Sequence, residues 1–255
     1  MGIKNFLNLL LAKISASLRV EVSKYYLNYL WWLIEPVLTM MVFYFVFSTL
    51  LNRGTENFTG FLLVGITNWM WFNKTVMNGS QSILQGRGLM LQVNIHKAFF
   101  PLVMVGRDAF KQLFVIIMLL IFLCFYPTPM GITWLALPVL LITQLILVAA
   151  SAMFCAAFVP FIPDLFFIIS TGIRLMFFAS GIFYDIESVV SPKYRALVYL
   201  NPMAGLLKNY RDILLFNHWP DWWYLTQVAL FALGFFTLAT LIITRFNHIY
   251  PKICQ

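Results

Sequence analysis

The chain has 255 residues, of which 62% are hydrophobic, 18% aromatic and only 10% charged, with a mean hydropathy of +0.85. Soluble domains carry about 25% charged residues, so this composition excludes an ordinary soluble enzyme and places most of the chain in a bilayer. The net charge of +8 does not point to nucleic acid, because the positives flank apolar runs instead of forming a basic stripe.

Residues 1–24 read as an amphipathic helix suited to the membrane interface. Ile3, Leu7, Leu10, Leu11, Ile14 and Leu18 share one face, and Lys4, Asn5, Asn8, Ser15 and Arg19 the other. They do not read as a cleaved leader, since Lys13 interrupts the apolar run and no small-residue cleavage pattern follows.

Six spans are then predicted in an all-α integral membrane fold: 31–51, 58–77, 99–126, 134–158, 161–183 and 224–244. Only helices fit, because lipid-exposed backbone must satisfy its own hydrogen bonds and no alternating barrel pattern is present. Tyr25, Tyr26, Tyr29, Trp31 and Trp32 form an interfacial belt before the first span. The second is the most polar, with Thr67, Asn68, Asn73 and Lys74. Two connections are long: 79–97, polar and helix-like apart from the Gly86-Arg87-Gly88 break, and 184–221, which carries both charge signs and a series of prolines. A long structured loop tends to be functional.

The cation bias orients the chain. With the N-terminus inside, the cytoplasmic side holds Lys4, Lys13, Arg19, Lys24, Arg87, Lys97, Arg107, Lys111, Arg245 and Lys252. The outer side holds Arg53, Lys193, Arg195, Lys208 and Arg211, balanced by Glu56, Asp185, Glu187, Asp212 and Asp221. Both termini are therefore expected in the cytoplasm, as an even number of spans requires.

No catalytic constellation assembles. Gly86-Arg87-Gly88 lacks the length and the Lys-Ser/Thr partner of a phosphate-binding loop. His96, His218 and His248 are scattered, and Cys124, Cys155 and Cys254 lie far apart without metal or disulfide spacing. The chain is expected to hold no metal or cofactor and not to hydrolyse ATP; if it pumps, another subunit powers it. Ionisable residues within spans are functional candidates. Arg174, near the middle of the fifth span, either lines a water-filled aromatic path or belongs to a structural pair. Glu35, before Pro36, either kinks the start of the first span or pairs with Arg174. Aromatic rings suit the C–H faces of sugars, and Tyr44, Phe47, Trp69, Trp71, Phe177 and Phe178 supply them; rings are also ordinary at helix contacts.

Several motifs in order carry a resemblance: Leu30-Trp31…Glu35-Pro36, Gly65…Trp69…Phe72, Lys97…Phe100-Pro101, Pro163-Asp164, and most specifically Asn201-Pro202-Met203 with Tyr210-Arg211. Together they resemble the permeases of type-2 ABC exporters that export O-antigen, capsule or teichoic-acid glycans. One departure is Leu102-Val103-Met104, where that family is usually rich in Arg. The resemblance implies a single transmembrane domain over 1–255, in a homodimer with two cytoplasmic ABC ATPase subunits that bind ATP and Mg, in a bacterial inner membrane. Its cargo would be a polyprenyl-diphosphate-linked polysaccharide. The loop 79–97 would be a coupling helix presenting Gln85, Arg87, Gln92, His96 and Lys97 to the ATPase. A channel would be lined by Glu35, Tyr44, Phe47, Trp69, Trp71, Arg174, Phe177 and Phe178. The segment 184–221 would be an outer gate, with two short re-entrant helices over 186–216. Its candidate residues are Tyr184, Asp185, Pro192, Asn201, Pro202, Tyr210 and Arg211. A type-2 exporter of a small drug or lipid shares the fold. An integral-membrane glycosyl or lipid transferase is the rival from another class, but Asp164, Asp185, Glu187 and Asp212 do not form the acidic cluster it needs. An ion channel should show a repeated filter segment, and none is evident.

Overall fold

A computed structural model describes residues 3–24, 28–50, 57–126 and 131–253; side chains at 3, 22–29 and 33 are not described. Arg53, Glu56, Cys254, Tyr25, Tyr26 and the end of the first expected span at Leu51 lie outside the described residues.

Helix α1 covers Ile3–Lys24, as the amphipathic pattern predicts. Its packed face differs from the expected one: Phe6, Leu10 and Ile14 turn toward the bundle, while Leu7 and Leu11 remain exposed. The four consecutive apolar residues Leu9 to Ala12 give no single stripe, so tertiary contact decides the register. Phe6 meets Phe99 edge-on at 5.9 Å, and Ile14 packs so closely on Gly106 that a Cβ there would sit 2.4 Å from it.

Helix α2 (Asn28–Tyr44) contains Pro36 and runs into a π-helical turn over Phe45–Leu50, a combination common where a helix is locally strained. Helix α3 (Phe58–Gln85) is the centre of the fold, buried along most of its length. The helix continues well past the expected end at Met77, through Gly79, because the small residues there allow close packing: a Cβ on Gly79 would lie 2.7 Å from Ala152 Cβ. The expected coupling loop therefore begins as the last turns of α3 and continues as α4 (Arg87–Gln92).

Helix α5 (Phe99–Phe125) comes next, then a 3-10 turn (Ile132–Ala136) leading into α6 (Leu137–Phe158). Gln144 on α6 is fully buried and its Nε2 donates to the Asn68 carbonyl at 2.9 Å. Of the polar residues that make α3 the least apolar of the expected spans, Thr67 and Asn68 thus face inward, while Lys74 is exposed.

Helix α7 (Leu165–Ala179) is 15 residues long, shorter than the expected 161–183. Pro160 and Pro163 keep Val159–Asp164 in turns, and Gly181, at φ +67°, ends the segment in a conformation that favours glycine. Fifteen residues rise about 22 Å, against about 30 Å of hydrocarbon. The segment expected outside holds three helical pieces, not two: α8 (Ile186–Val189), α9 (Pro192–Tyr199) and α10 (Pro202–Leu214). Helix α11 (Trp222–Arg245) packs along α6, and α12 (Tyr250–Ile253) closes the chain.

The described residues hold four helices long and apolar enough to cross a membrane: Leu30–Leu50, Phe99–Phe125, Ile132–Phe158 and Trp222–Arg245. Among the described residues there is no strand, and these apolar helices make the chain a membrane protein.

Candidate functional site

The expected lining residues do not form one surface. Phe47, Trp69, Phe177 and Phe178 do come together, in a ring cluster completed by Phe43 and Phe183. Phe43 lies 5.6 Å from Phe177, Phe47 stacks on Phe183 at 4.9 Å, and Trp69 meets Phe177 edge-on at 5.9 Å. The cluster joins α2, α3, the end of α7 and the turn after it. Tyr44 faces Phe58 instead, at 6.4 Å. Arg174 is exposed on α7 and makes no hydrogen bond or ion pair among the described residues. Glu35 pairs with Lys74, not with Arg174. Glu35 lies midway along α2, about two turns before Phe43, the α2 ring that meets Phe177 on α7.

Trp71 and Glu35 belong to a separate cavity of about 500 Å³ between α1, α2, α3 and α5. An ionic network lines it. Asp108 accepts from Arg107 Nε at 2.9 Å and from Asn78 Nδ2 at 2.8 Å, with Lys111 at 3.8 Å. Glu21 pairs with Lys111 and lies 4.0 Å from Arg107. Sequence reasoning takes Arg107 and Lys111 as flanking cations and misses Asp108. The signal that could find it is Arg107-Asp108…Lys111, a charge cluster inside a helix that is otherwise apolar.

The segment of α8 to α10 is tied down through Arg211, which is buried although read from sequence as a loop cation. Its guanidinium donates to the carbonyls of Gly181 and Ile182, both at 2.8 Å, and of Phe61 at 3.3 Å. A side chain at Gly65 would collide with it, since a Cβ there lies 2.6 Å from Nη2. Burial pulls the Arg211 pKa down, opposed by Asp185 and Asp212. Asn201 caps α10 by accepting from the Met203 N–H at 3.1 Å, and its Nδ2 donates to Ser180 Oγ at 2.7 Å. Pro202 and Pro192 occupy the first turns of α10 and α9, where the missing N–H is harmless. Asp185 caps α8 through the N–H groups of Glu187 and Ser188. Tyr184 donates to the Phe178 carbonyl at 3.1 Å. Tyr210 is fully buried, with its hydroxyl unpartnered among the described residues. The expected gate residues therefore gather into one structured cap over the end of α3 and the turn after α7.

At the other end of α3, Gln85, Arg87 and Gln92 are exposed. Lys97 is turned inward, its ammonium donating to the Ile95 carbonyl at 2.9 Å, so it presents no surface charge. His96 Nε2 lies 3.1 Å from Thr244 Oγ1. Burial, with Lys97 beside it, holds the His96 imidazole below its ordinary pKa.

Residues 11–215 match the ABC-2 type transporter family. The chain belongs to that family. The matched stretch of this ABC-2 transporter chain contains the ring cluster, the ionic cavity and the Arg211 strap, while α11 and α12 lie beyond it. It is similar to two bacterial proteins named O-antigen export system permease protein RfbA. The one from Klebsiella pneumoniae is 26% identical over 209 residues, 82% of this chain and 80% of the relative. The one from Myxococcus xanthus is 27% identical over 217 residues, 84% of this chain and 82% of the relative.

Proposed function

We propose that this chain is the membrane-spanning permease subunit of an ATP-driven exporter that moves a polyprenyl-diphosphate-linked polysaccharide, of O-antigen or capsule type, across a bacterial inner membrane. The observation that carries this reading is its similarity, over about four-fifths of its length, to permeases named for O-antigen export. The ring cluster of Phe43, Phe47, Trp69, Phe177, Phe178 and Phe183 supports it, because a glycan path needs apolar faces for sugar C–H groups and few fixed charges.

In this reading α2, α3, α5, α6, the α7 segment and α11 give six spans, with both termini in the cytoplasm. Two copies face each other along α2 and α7. The exposed arginine on α7 supports that arrangement: a charge facing lipid costs about 2.5–3.5 kcal/mol or more, which a water-filled path or a second copy removes. The cap of α8 to α10 acts as the outer gate. The cytoplasmic end of α3 with α4 docks on a separate ATPase subunit, which holds ATP and Mg, while this chain contributes no catalytic group. Closing of that ATPase then shifts the pair of permeases between shut and open states.

Affinity capture of the tagged chain, co-expressed with the ABC ATPase subunits of its own organism, tests the assembly. A complex of two permeases and two ATPases is expected; a permease that purifies alone contradicts it.

A further inference from the structure

The cavity between α1, α2, α3 and α5 has features that a channel wall does not need. Three side chains in its lining carry polar atoms without a hydrogen-bond partner among the described residues: Trp71 Nε1, Thr75 Oγ1 and Gln112 Nε2. None is at the surface, with exposures of 6%, 0% and 6%. Buried polar groups are almost always paired, because leaving one unmade costs about 1–3 kcal/mol. Three in one lining, each able to donate, mark a place for a ligand rich in acceptor oxygens.

The rim sets the charge of that ligand. Lys74, Arg107 and Lys111 face Glu35, Glu21 and Asp108, and the two sets pair with one another. The rim is net neutral. A ligand with several uncompensated negative charges would have to break these pairs, whereas a zwitterion can lay its cation toward the carboxylates and its anion toward the donors. The mouth is marked by exposed Trp31 and the half-exposed Lys74 and Glu35, and Lys111 lies over the Trp32 ring at 5.2 Å, so the rim suits a cation among rings.

Position supplies the rest. α1 packs along the first half of α5, with Ile14 on Gly106, and keeps Leu7 and Leu11 outward. A helix of that kind lies at the boundary of headgroups and acyl chains, and the cavity opens beside its last turns. Its volume falls in the range of small-molecule sites, about 300–1,000 Å³.

The geometry points to a binding site for the headgroup of a zwitterionic phospholipid, its phosphate oxygens on Trp71, Thr75 and Gln112 and its amine toward Glu35, Glu21 and Asp108. The lipid is a resident of the fold, bound between the interface helix and the bundle, and is independent of the exported cargo.

Native mass spectrometry of the full chain in detergent tests this. The protein is incubated with an equimolar mixture of phosphatidylethanolamine, phosphatidylcholine, phosphatidylglycerol and a polyprenyl diphosphate. One zwitterionic lipid retained per chain is expected. Thr75→Val with Gln112→Met should lower retention about a hundredfold, the loss of two hydrogen bonds to a charged group at about tenfold each, while Thr75→Ser retains the lipid. Where the double variant does not fold, Trp71→Phe removes the indole donor alone and should weaken retention in the same direction. Preferential retention of phosphatidylglycerol or of the diphosphate overturns the proposal, as does retention unchanged in the donor-deleted variants or no retained lipid at all.

Discussion

The guanidinium carbon of Arg211 lies 3.4 Å from the centroid of the Phe61 ring, while its nitrogens reach the carbonyls of Phe61, Gly181 and Ile182. One side chain thus joins α10 to the start of α3 and to the turn that ends α7. Only a planar fork can stack on a ring and donate in several directions at once. Arg211→Lys keeps the charge but loses the fork, and Arg211→Met leaves the carbonyls without a donor. Both should destabilise the protein by about 3 kcal/mol or more, with Met the worse. Thermal unfolding of the purified variants in detergent reads this out, and a loss below about 1 kcal/mol for Met would show that the strap is dispensable.

Arg174 behaves in the opposite way. It is exposed on α7 without a partner among the described residues, so Arg174→Gln should leave the stability of the isolated chain within about 0.5 kcal/mol of wild type. If the α7 face borders the transport path, the same variant should slow export in cells that depend on it. Normal export by a normally folded variant would remove Arg174 from that path.

The pair Glu187–Lys208 gives the cap of α8 to α10 a pH dependence with a defined sign. The hydrogen bond from Lys208 holds the Glu187 carboxyl below its ordinary pKa of 4.5, outweighing burial. Burial works against the Lys208 charge, but Glu187, with Tyr199 and Asp212, more than offsets it and raises the amine above its ordinary pKa of 10.5. The carboxyl contributes stability above its ordinary pKa and loses it as pH falls through the lowered value. The amine contributes below its ordinary pKa and loses it as pH rises through the raised value. The contribution is therefore flat from about pH 5 to pH 10 and falls away at both ends. Both side chains are nearly half exposed, so the pair is worth under about 1 kcal/mol. Melting curves of wild type and Glu187→Gln should differ slightly at pH 7 and converge near pH 3; a gap that widens in acid would contradict the pairing.

Gly79 and Ala152 hold α3 and α6 at close approach, since a Cβ on Gly79 would fall 2.7 Å from Ala152 Cβ. Gly79→Val should cost about 1–3 kcal/mol by overpacking. Ala152→Gly, which makes room, should restore part of the loss in the double variant. Additive losses in that cycle would show that the two sites are not in contact.

The class of the protein and the existence of its long apolar helices were legible in the sequence, because hydropathy and charge placement are imposed locally by the bilayer; the three short pieces α8 to α10, where two were expected, were not. Element ends were legible where a residue has a local reason to act. Asn201-Pro202 caps and starts α10, and Asp221 caps α11 by accepting from the Tyr224 N–H. The shortness of α7 was written in Pro160 and Pro163, but those prolines lie inside an apolar run that merges with Leu165–Ala179 into a single apparent span. The packed face of α1 was not legible, since Leu7, Leu9, Leu10 and Leu11 surround the helix and only contact with Phe99 and Gly106 selects among them.

The candidate site was less legible for the same reason. Glu35 and Lys74 are 39 residues apart, and no local pattern says that they meet. Arg211 is satisfied by backbone carbonyls, which leave no trace in residue identity. The ring cluster is visible in part because aromatics concentrate in particular spans; its division from Trp71 depends on which side of α3 each faces. Trp69 and Trp71 are two residues apart on a helix and so point in different directions.

If ATP hydrolysis by a partner subunit drives a lipid-linked glycan through this permease, hydrolysis and glycan must be coupled in the purified complex. The most direct measurement is ATPase activity of the co-purified complex in nanodiscs, with and without a polyprenyl-diphosphate-linked polysaccharide. Hydrolysis should rise when the glycan is added and fall back when Phe177 and Phe178 are replaced by alanine. A stable complex whose hydrolysis is indifferent to the glycan would contradict it.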